Sequence, residues 1–419
     1  MPSAPAPSRI RYSVLLLSFL VALVMYLDRA CMGSATMSIK EEFGLNNATM
    51  GLIGGAFTLT YSLFQVPGGW LADRFGSRIV VAGAILWWSL FTMGTGLAWS
   101  VASMIVMRAL FGMGEAAAWP AAARSLSRWL PAAQRGFGQG FQHSGSRFGA
   151  AISPPLVLYM VHTYHWRTMF YVFGAAGFVL AAVWYSFYRN EPRDHPRVNA
   201  AELALLDTAR PLAAKPAVPW GRILRSSDLW VLSALYFCYG WVFWMYMQWL
   251  PTYLTEARHF SAGSLALAAS LPYFAAWPAN VAGGWVSDKL VRKWGNVRRG
   301  RVTVSVAGFA IAGLGILPGA LVPDATLAVA CLTIALAGLE LTVGVSWAMC
   351  LDMAGEFGGS VTGVMNTLGN LGGTIAAPGI GLLVDRSGWT LPFLLSSVMC
   401  LVAAVLATRI DPRRSAVAE

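Results

Sequence analysis

Apolar residues run through this chain in stretches of about 20, the length a helix needs to cross the roughly 30 Å hydrocarbon core of a bilayer. Twelve such stretches can be read. The first half offers 13–35, 48–72, 79–98, 101–123, 137–159 and 167–187; the second offers 229–254, 264–288, 302–321, 325–350, 360–383 and 389–407. Several are interrupted by Gly or Pro, which membrane helices tolerate when neighbours re-satisfy the backbone. Between the two sets, 188–228 is rich in Pro and charge and reads as a linker. Within it, 200–209 is expected to form a short amphipathic helix whose acids, Glu202 and Asp207, lie on a solvated face. The pattern predicts an all-α integral membrane protein of twelve transmembrane helices in two pseudo-symmetric six-helix bundles, 1–187 and 229–419, joined by the linker 188–228.

Composition removes the water-soluble alternative. Apolar residues make up 57% of the chain and charged residues 12%, against about 25% charged in soluble domains. The bases are unevenly placed. With both termini in the cytoplasm, only 4 of the 30 Lys and Arg fall outside, and Arg29, Arg108 and Arg147 fall within stretches. This positive-inside bias sets the orientation in a cell inner membrane and accounts for the net charge of +11 without nucleic acid as a partner. The first stretch is too long for a signal-peptide core and lacks a small-x-small cleavage site, so it is expected to be retained. The five cysteines form no C-x-x-C pair and are expected to pack within helices. Asn47 sits in a glycosylation sequon, discounted because its loop is very short. No His-x-x-x-His, Gly-x-Ser-x-Gly or paired Cys/His pattern occurs, so neither an enzyme, a metal nor a cofactor is expected.

The two halves echo each other. Gly68-Gly69-Trp70-Leu71-Ala72-Asp73-Arg74 recurs as Gly283-Gly284-Trp285-Val286-Ser287-Asp288-Lys289. At a second constant offset Gly140, Gly149 and Pro155 align with Gly363, Gly372 and Pro378, pairing His143 with Asn366 and Arg147 with Asn370. Paired halves in so apolar a chain mark membrane transporters, with the substrate path between them.

The stretch Gly69-Trp70-Leu71-Ala72-Asp73-Arg74-Phe75-Gly76-Ser77-Arg78 resembles the signature loop of the major facilitator superfamily. That resemblance implies a gate at the cytoplasmic side, with Asp73 tethering helices and Arg74 and Arg78 binding that acid and the lipid surface; Asp288 and Lys289 repeat the acid and base. Tyr26-Leu27-Asp28-Arg29, the segment from Arg108 to Glu115, that from Trp347 to Asp352, and Val364 to Gly373 resemble one branch, the anion:cation symporters, which includes bacterial carriers of galactonate, hexuronates and glucarate. The resemblance implies that Asp28 and Glu115 are protonation sites, that Arg29 holds a substrate carboxylate, that Arg108 belongs to the coupling network, and that Tyr26, Tyr61, Trp347 and Asn366 contact substrate.

The residues carry a reading of their own. An ionisable group at bilayer depth costs at least about 2.5–3.5 kcal/mol by insertion scales and marks a substrate or proton route by default. Asp28, Arg29, Arg108, Glu115 and Arg147 lie at such depth in the first half, and Glu340 in the second. They are either salt bridges that fix packing or a working site; so many buried ions rarely serve stability alone. Arg108 and Glu115, seven apart, are two turns distant on one face, so each is expected to meet another helix, and Asp28 is a candidate partner for Arg108. His143 and Arg147 share a face. His143 can serve a proton route or simply pack, and Arg147, a second cation, favours a substrate with a second acidic group. Asn366 and Asn370 share another face, and buried amides need partners. The function expected is symport of protons with a small organic anion, most readily a sugar acid, by a monomer working through rocker-switch alternating access. An organic anion or phosphate exchanger is the alternative within transport. A non-transporting membrane sensor is the alternative of another class.

Overall fold

The structure, a computed structural model, describes residues 6–131, 135–206, 219–354 and 358–414. Its described elements are helical throughout: α1 (Ile10–Phe43), α2 (Asn47–Phe75), α3 (Ser77–Gly96), α4 (Val101–Glu115), α5 (Ala118–Trp129), α6 (Arg135–Thr163) and α7 (Trp166–Phe187), then a 3₁₀ turn at Pro192–Asp194 and the short α8 (Ala200–Leu206) and α9 (Trp220–Ile223). The second set is α10 (Ser227–Glu256), α11 (Ala262–Trp294), α12 (Val297–Leu321), α13 (Ala325–Ala354), α14 (Gly358–Ser387) and α15 (Thr390–Arg409). Every apolar stretch read from the sequence falls on one of these helices, and the fourth is split between α4 and α5. Pro120 explains the split. It has no N–H to offer Ala116, four residues back, and its ring crowds that carbonyl, so the helix breaks just after Glu115.

Nine helices among the described residues are long and apolar enough to cross a membrane by length and composition. The three long helices outside that set, α2, α6 and α11, all lie at the contact between the two sets of helices, with α14 as the fourth. In each set of helices α1 or α10 packs on α6 or α14, and between the sets α2 lies on α14 and α6 on α11. Helices that face another bundle rather than lipid carry Gly and polar residues on that face, which lowers their hydropathy. The repeat has the same origin. A Cβ on Gly149 would stand 2.5 Å from the Leu23 carbonyl of α1, and one on Gly372 2.3 Å from the Phe237 carbonyl of α10, so both glycines permit equivalent close crossings.

The two ends of the molecule differ. At the end opposite the termini, the bundles are joined. Lys40 on α1 is ion-paired with Glu256 on α10, and Lys40 Nζ also donates to Asn47 Oδ1 at 2.8 Å. Asp385, at the end of α14, accepts from the backbone N–H groups of Asn47 and Ala48 at 3.1 and 2.7 Å, capping the first turn of α2 from the other bundle. Asn47 is thus buried in this junction. Bases at this end are locally neutralised: Arg167 pairs with Glu42, and Arg258 caps α12 by donating to the carbonyls of Gly319, Ala320 and Val322.

At the termini end the linker acid Glu202 is fully buried, and the expectation of a solvated face is corrected. Its carboxylate accepts from the backbone N–H of Ile10 and Arg11 at 3.0 and 3.1 Å, from Arg11 Nη1 at 3.1 Å and from the Ser8 hydroxyl. It therefore supplies the acceptors that the first turn of α1 lacks. Burial pushes this carboxyl up, but those hydrogen bonds outweigh it and hold its pKa below the usual glutamate range. Asp207 and residues 207–209 of the expected helix lie outside the described residues. The five cysteines are free; four are buried and Cys331 is half-buried.

Candidate functional site

A cavity of about 80 Å³ lies at mid-depth where α1, α2, α5 and α6 face α10, α13 and α14. One water needs roughly 10–15 Å³ by the same measure, so the space suits a compact solute. All eight residues expected to meet substrate line it: Tyr26, Arg29, Tyr61, His143, Arg147, Trp347, Asn366 and Asn370. One turn beyond Arg29 the space is shut, because Gly33 lies so close to α10 that a Cβ would stand 2.6 Å from the Met247 carbonyl.

Arg29 is the centre of the first half of the site. Its Nε donates to Glu115 Oε2 at 2.9 Å, and both residues are buried. The guanidinium lies over the rings of Tyr61 at 4.4 Å, Tyr26 at 4.8 Å, Phe57 at 5.4 Å and Trp244 at 5.7 Å. Aromatic faces favour a cation without competing for its donors. The pair is incompletely satisfied: among the described residues Arg29 Nη2 and Glu115 Oε1 have no hydrogen-bond partner.

The candidate pairing of Asp28 with Arg108 is not what forms. Among the described residues neither oxygen of Asp28 has a hydrogen-bond partner, and Arg108 Nε and Nη1 have none either. Arg108 instead lies over Phe111 at 4.3 Å and Phe57 at 5.0 Å. Neighbours on a helix point about 100° apart, and the rotation of α1 gives Arg29, not Asp28, the ion-pairing contact with α4. Glu115 thereby meets another helix as expected; among the described residues Arg108 makes no ion pair within 4 Å.

The second half of the site joins the bundles. Arg147 Nε on α6 donates to Glu340 Oε2 on α13 at 2.8 Å, and its Nη1 reaches the Tyr26 hydroxyl at 3.3 Å. Glu340 is saturated: Tyr239 OH donates to its Oε1 at 2.9 Å and Asn280 Nδ2 to its Oε2 at 2.8 Å. His143 stacks on Trp119, ring centres 4.3 Å apart, and meets Trp347 edge-on at 5.6 Å. The Trp347 indole donates to Tyr236 OH at 3.0 Å. Asn366 donates to Gln65 across the bundles at 2.9 Å, and Asn370 to the Asn366 carbonyl at 2.9 Å.

The repeated loops lie away from this cavity, toward the termini end. Gly68 rests on Ala117 at the α4–α5 break, where a Cβ would stand 2.5 Å from its Cα; next to it a Cβ on Gly69 would stand 3.5 Å from Pro120. Gly76 takes φ 83° between α2 and α3, where a side chain would be strained. Arg78 donates to the Tyr185 carbonyl at 2.9 Å, and Arg74 lies over Trp70 at 5.3 Å. The side chain of Asp73 lies outside the described residues. In the second copy Asp288 and Asp352 share Arg301, at 2.6 and 3.0 Å, tying α11, α12 and α13 together, while Lys289 stands over Trp285 at 5.0 Å.

Residues 18–377 match the family model of the Major Facilitator Superfamily. The chain belongs to the major facilitator superfamily. This transporter is 38% identical over 408 residues to the probable sulfoacetate transporter SauU of Cupriavidus necator, covering 96% of this chain and 94% of that one. It is 32% identical to the probable galactarate/D-glucarate transporter GarP of Escherichia coli K12, over 90% and 88% of the two chains. It is 30% identical to a D-galactonate transporter of Escherichia coli O6:H1, over 96% of each. The fold is that of a bacterial homologue of the human lysosomal transporter Spinster solved inward-facing and unoccupied, with TM-score 0.76, 17% identity and coverage of 96% and 97%. These relatives are transporters, and this chain is a multi-pass membrane transporter rather than an enzyme.

Sequence reasoning missed Trp119, Tyr236, Tyr239, Phe243, Trp244 and Gly240 as cavity residues. A signal existed for three: Tyr236, Tyr239 and Phe243 recur at helical spacing, and their rings stack at 4.9 and 5.7 Å. For Trp119 there was none, because its direction depends on the break at Ala116.

Proposed function

We propose that this transporter carries a small organic anion, sugar acids including aldarates, together with protons, across an inner membrane. The observation that carries the reading is the buried Arg29–Glu115 pair in the cavity wall, with one oxygen and one nitrogen left without partners. A planar guanidinium binds one carboxylate bidentately. An arriving substrate carboxylate competes with Glu115 for Arg29, and a proton neutralises the glutamate it releases. Asp28, buried with neither oxygen hydrogen-bonded, is the second proton carrier, and Arg108, a fixed cation near both acids, links them. Tyr26, Tyr61, Asn366 and Asn370 offer hydroxyl and amide partners to a polyhydroxylated chain, and His143 and Trp347 wall it in.

The relatives' substrates, sulfoacetate, galactarate or glucarate, and galactonate, all carry a carboxylate, which supports the anion class. With the basic termini end in the cytoplasm, the joined far end faces outward and the cavity is reached from inside. Transport is then a rocking of the bundles 1–187 and 229–419 about the linker 188–228 by a monomer. The loop from Gly69 to Arg78 and its counterpart at Asp288 and Lys289 gate the cytoplasmic side.

The purified protein reconstituted in liposomes tests this. An inward proton gradient is expected to drive uphill uptake of a radiolabelled aldarate or aldonate, and collapse of the gradient with an uncoupler to stop it. Uptake that exchanges anion for anion but ignores the proton gradient would replace symport by exchange. Ligand binding without any counterflow would point to a sensor.

A further inference from the structure

We infer that Arg147 forms a second anion subsite in the same cavity, occupied by Glu340 when empty, and that the site selects short dianions over monoanions. The inference rests on the proposed role of Arg29 as the first anion subsite. Two arginines face this cavity, and both flank one ring: the guanidinium carbon of Arg29 lies 4.8 Å and that of Arg147 5.7 Å from the centre of Tyr26. The distance between the two cations therefore cannot exceed the sum of those lengths, 10.5 Å. A carboxylate bound bidentately sits about 4 Å from the guanidinium carbon, carbon to carbon. Both carboxylates of one small dianion, approaching from the cavity side, can therefore reach the two arginines together. The cavity, about 80 Å³, favours a compact diacid over an extended six-carbon one.

The structure already holds a carboxylate at Arg147. Glu340 fills that place at 2.8 Å, and it comes from the opposite bundle. When a substrate carboxylate takes Arg147, Glu340 is not stripped of partners, because Tyr239 and Asn280 still donate to it. The buried carboxylate thus keeps two of its three hydrogen bonds, which lowers the cost of losing its cation. Arg147 in turn exchanges one carboxylate for another and keeps its contact with Tyr26. With protons on Asp28 and Glu115, as proposed above, the cavity occupied by a dianion carries the same net charge as the empty one. A monoanion can displace only one glutamate.

Tryptophan fluorescence provides the readout, since Trp119, Trp244 and Trp347 line the cavity. Purified protein is titrated with malonate and tartrate as short dianions, adipate as a long one and acetate as a monoanion. Malonate and tartrate are expected to bind at least ten-fold more tightly than acetate, and adipate to lose most of that advantage. In Glu340→Gln, which removes the internal competitor, malonate should bind several-fold more tightly than in the native protein. In Arg147→Gln the preference for malonate over acetate should fall below two-fold. Because that change strands Glu340, the double variant Arg147→Gln/Glu340→Gln is measured beside it and should give the same loss of preference. Equal affinity for malonate and acetate in the native protein would overturn the inference, as would a Glu340→Gln variant that weakens malonate. If acetate binding depends on Arg29 but malonate has no advantage, the second subsite alone fails. If Arg29→Gln leaves every anion bound as before, the proposed function fails with it.

Discussion

The two arginine–glutamate pairs of the cavity differ in what surrounds them. Arg29 and Glu115 belong to one bundle, and their pair is left open, with Arg29 Nη2 and Glu115 Oε1 lacking partners. Arg147 and Glu340 join the two bundles, and both oxygens of Glu340 are bonded, to Arg147, Asn280 and Tyr239. A buried ion pair is weak evidence for stability, since desolvation offsets most of its attraction. Its saturation is more informative. The open pair has bonding capacity to give a substrate, whereas the saturated pair must release a bond to gain one and braces the bundles meanwhile. On the proposed function, binding and coupling fall chiefly to the first pair, and on the further inference, discrimination between charges to the second.

The largest effect is expected at the open pair. Arg29→Ala should abolish measurable substrate binding, and Arg29→Lys should restore little, because a point charge cannot bind bidentately. Losing one partner of a buried charged contact costs about 2–5 kcal/mol, so affinity should fall by more than about 30-fold in equilibrium titrations. A lysine variant of near-native affinity would remove the fork from the argument.

The next effect separates coupling from binding. Asp28→Asn and Glu115→Gln should each lose proton-driven accumulation while retaining counterflow of labelled against unlabelled substrate, since a neutral amide imitates the protonated acid. Undiminished uphill uptake in both would sink their assignment as carriers. Glu340→Gln should change turnover by several-fold rather than abolish it, because Asn280 and Tyr239 remain to partner the amide. A complete loss of transport there would move the coupling site to the junction of the bundles.

The smallest effect lies outside the cavity. Glu202→Gln should lower thermal stability modestly, about 1 kcal/mol as for a lost helix cap, with little change in substrate affinity. The pH dependence has a definite sign. The folded-state pKa of Glu202 is held below its ordinary value, so its contribution is present above the ordinary glutamate pKa and is lost as pH falls through the lowered one. Melting curves from neutral to acid pH should show the native and Glu202→Gln proteins converging.

Much of this was legible in the sequence. Helix length and apolarity located the spans, because a bilayer fixes both. Intramembrane charge picked out Arg29, Glu115 and Arg147, because placing charge there is costly enough to be rare. The partners were not legible. Arg29 and Glu115 are 86 positions apart, and whether Asp28 or Arg29 faces α4 depends on a rotation of α1 that no local pattern fixes. Glu202 looked like a solvated acid because its partners, the N–H groups of Ile10 and Arg11, are backbone groups that any sequence would supply. Trp119 was hidden by a helix break whose cause, Pro120, was visible but whose angle was not.

In the proposed function an anion and protons move together through the cavity at Arg29 and Glu115. Uptake of a dianion such as malonate or tartrate into proteoliposomes, under potassium-diffusion potentials imposed at fixed pH, tests it most directly. With Asp28 and Glu115 each carrying a proton, two protons accompany a dianion and the cycle moves no net charge. A potential of 100 mV acts on each uncompensated charge with about 2.3 kcal/mol, so even one would be plain in the rates. Dianion uptake is expected to respond to a pH gradient and to ignore the potential. Uptake driven by the potential and indifferent to the pH gradient would contradict it.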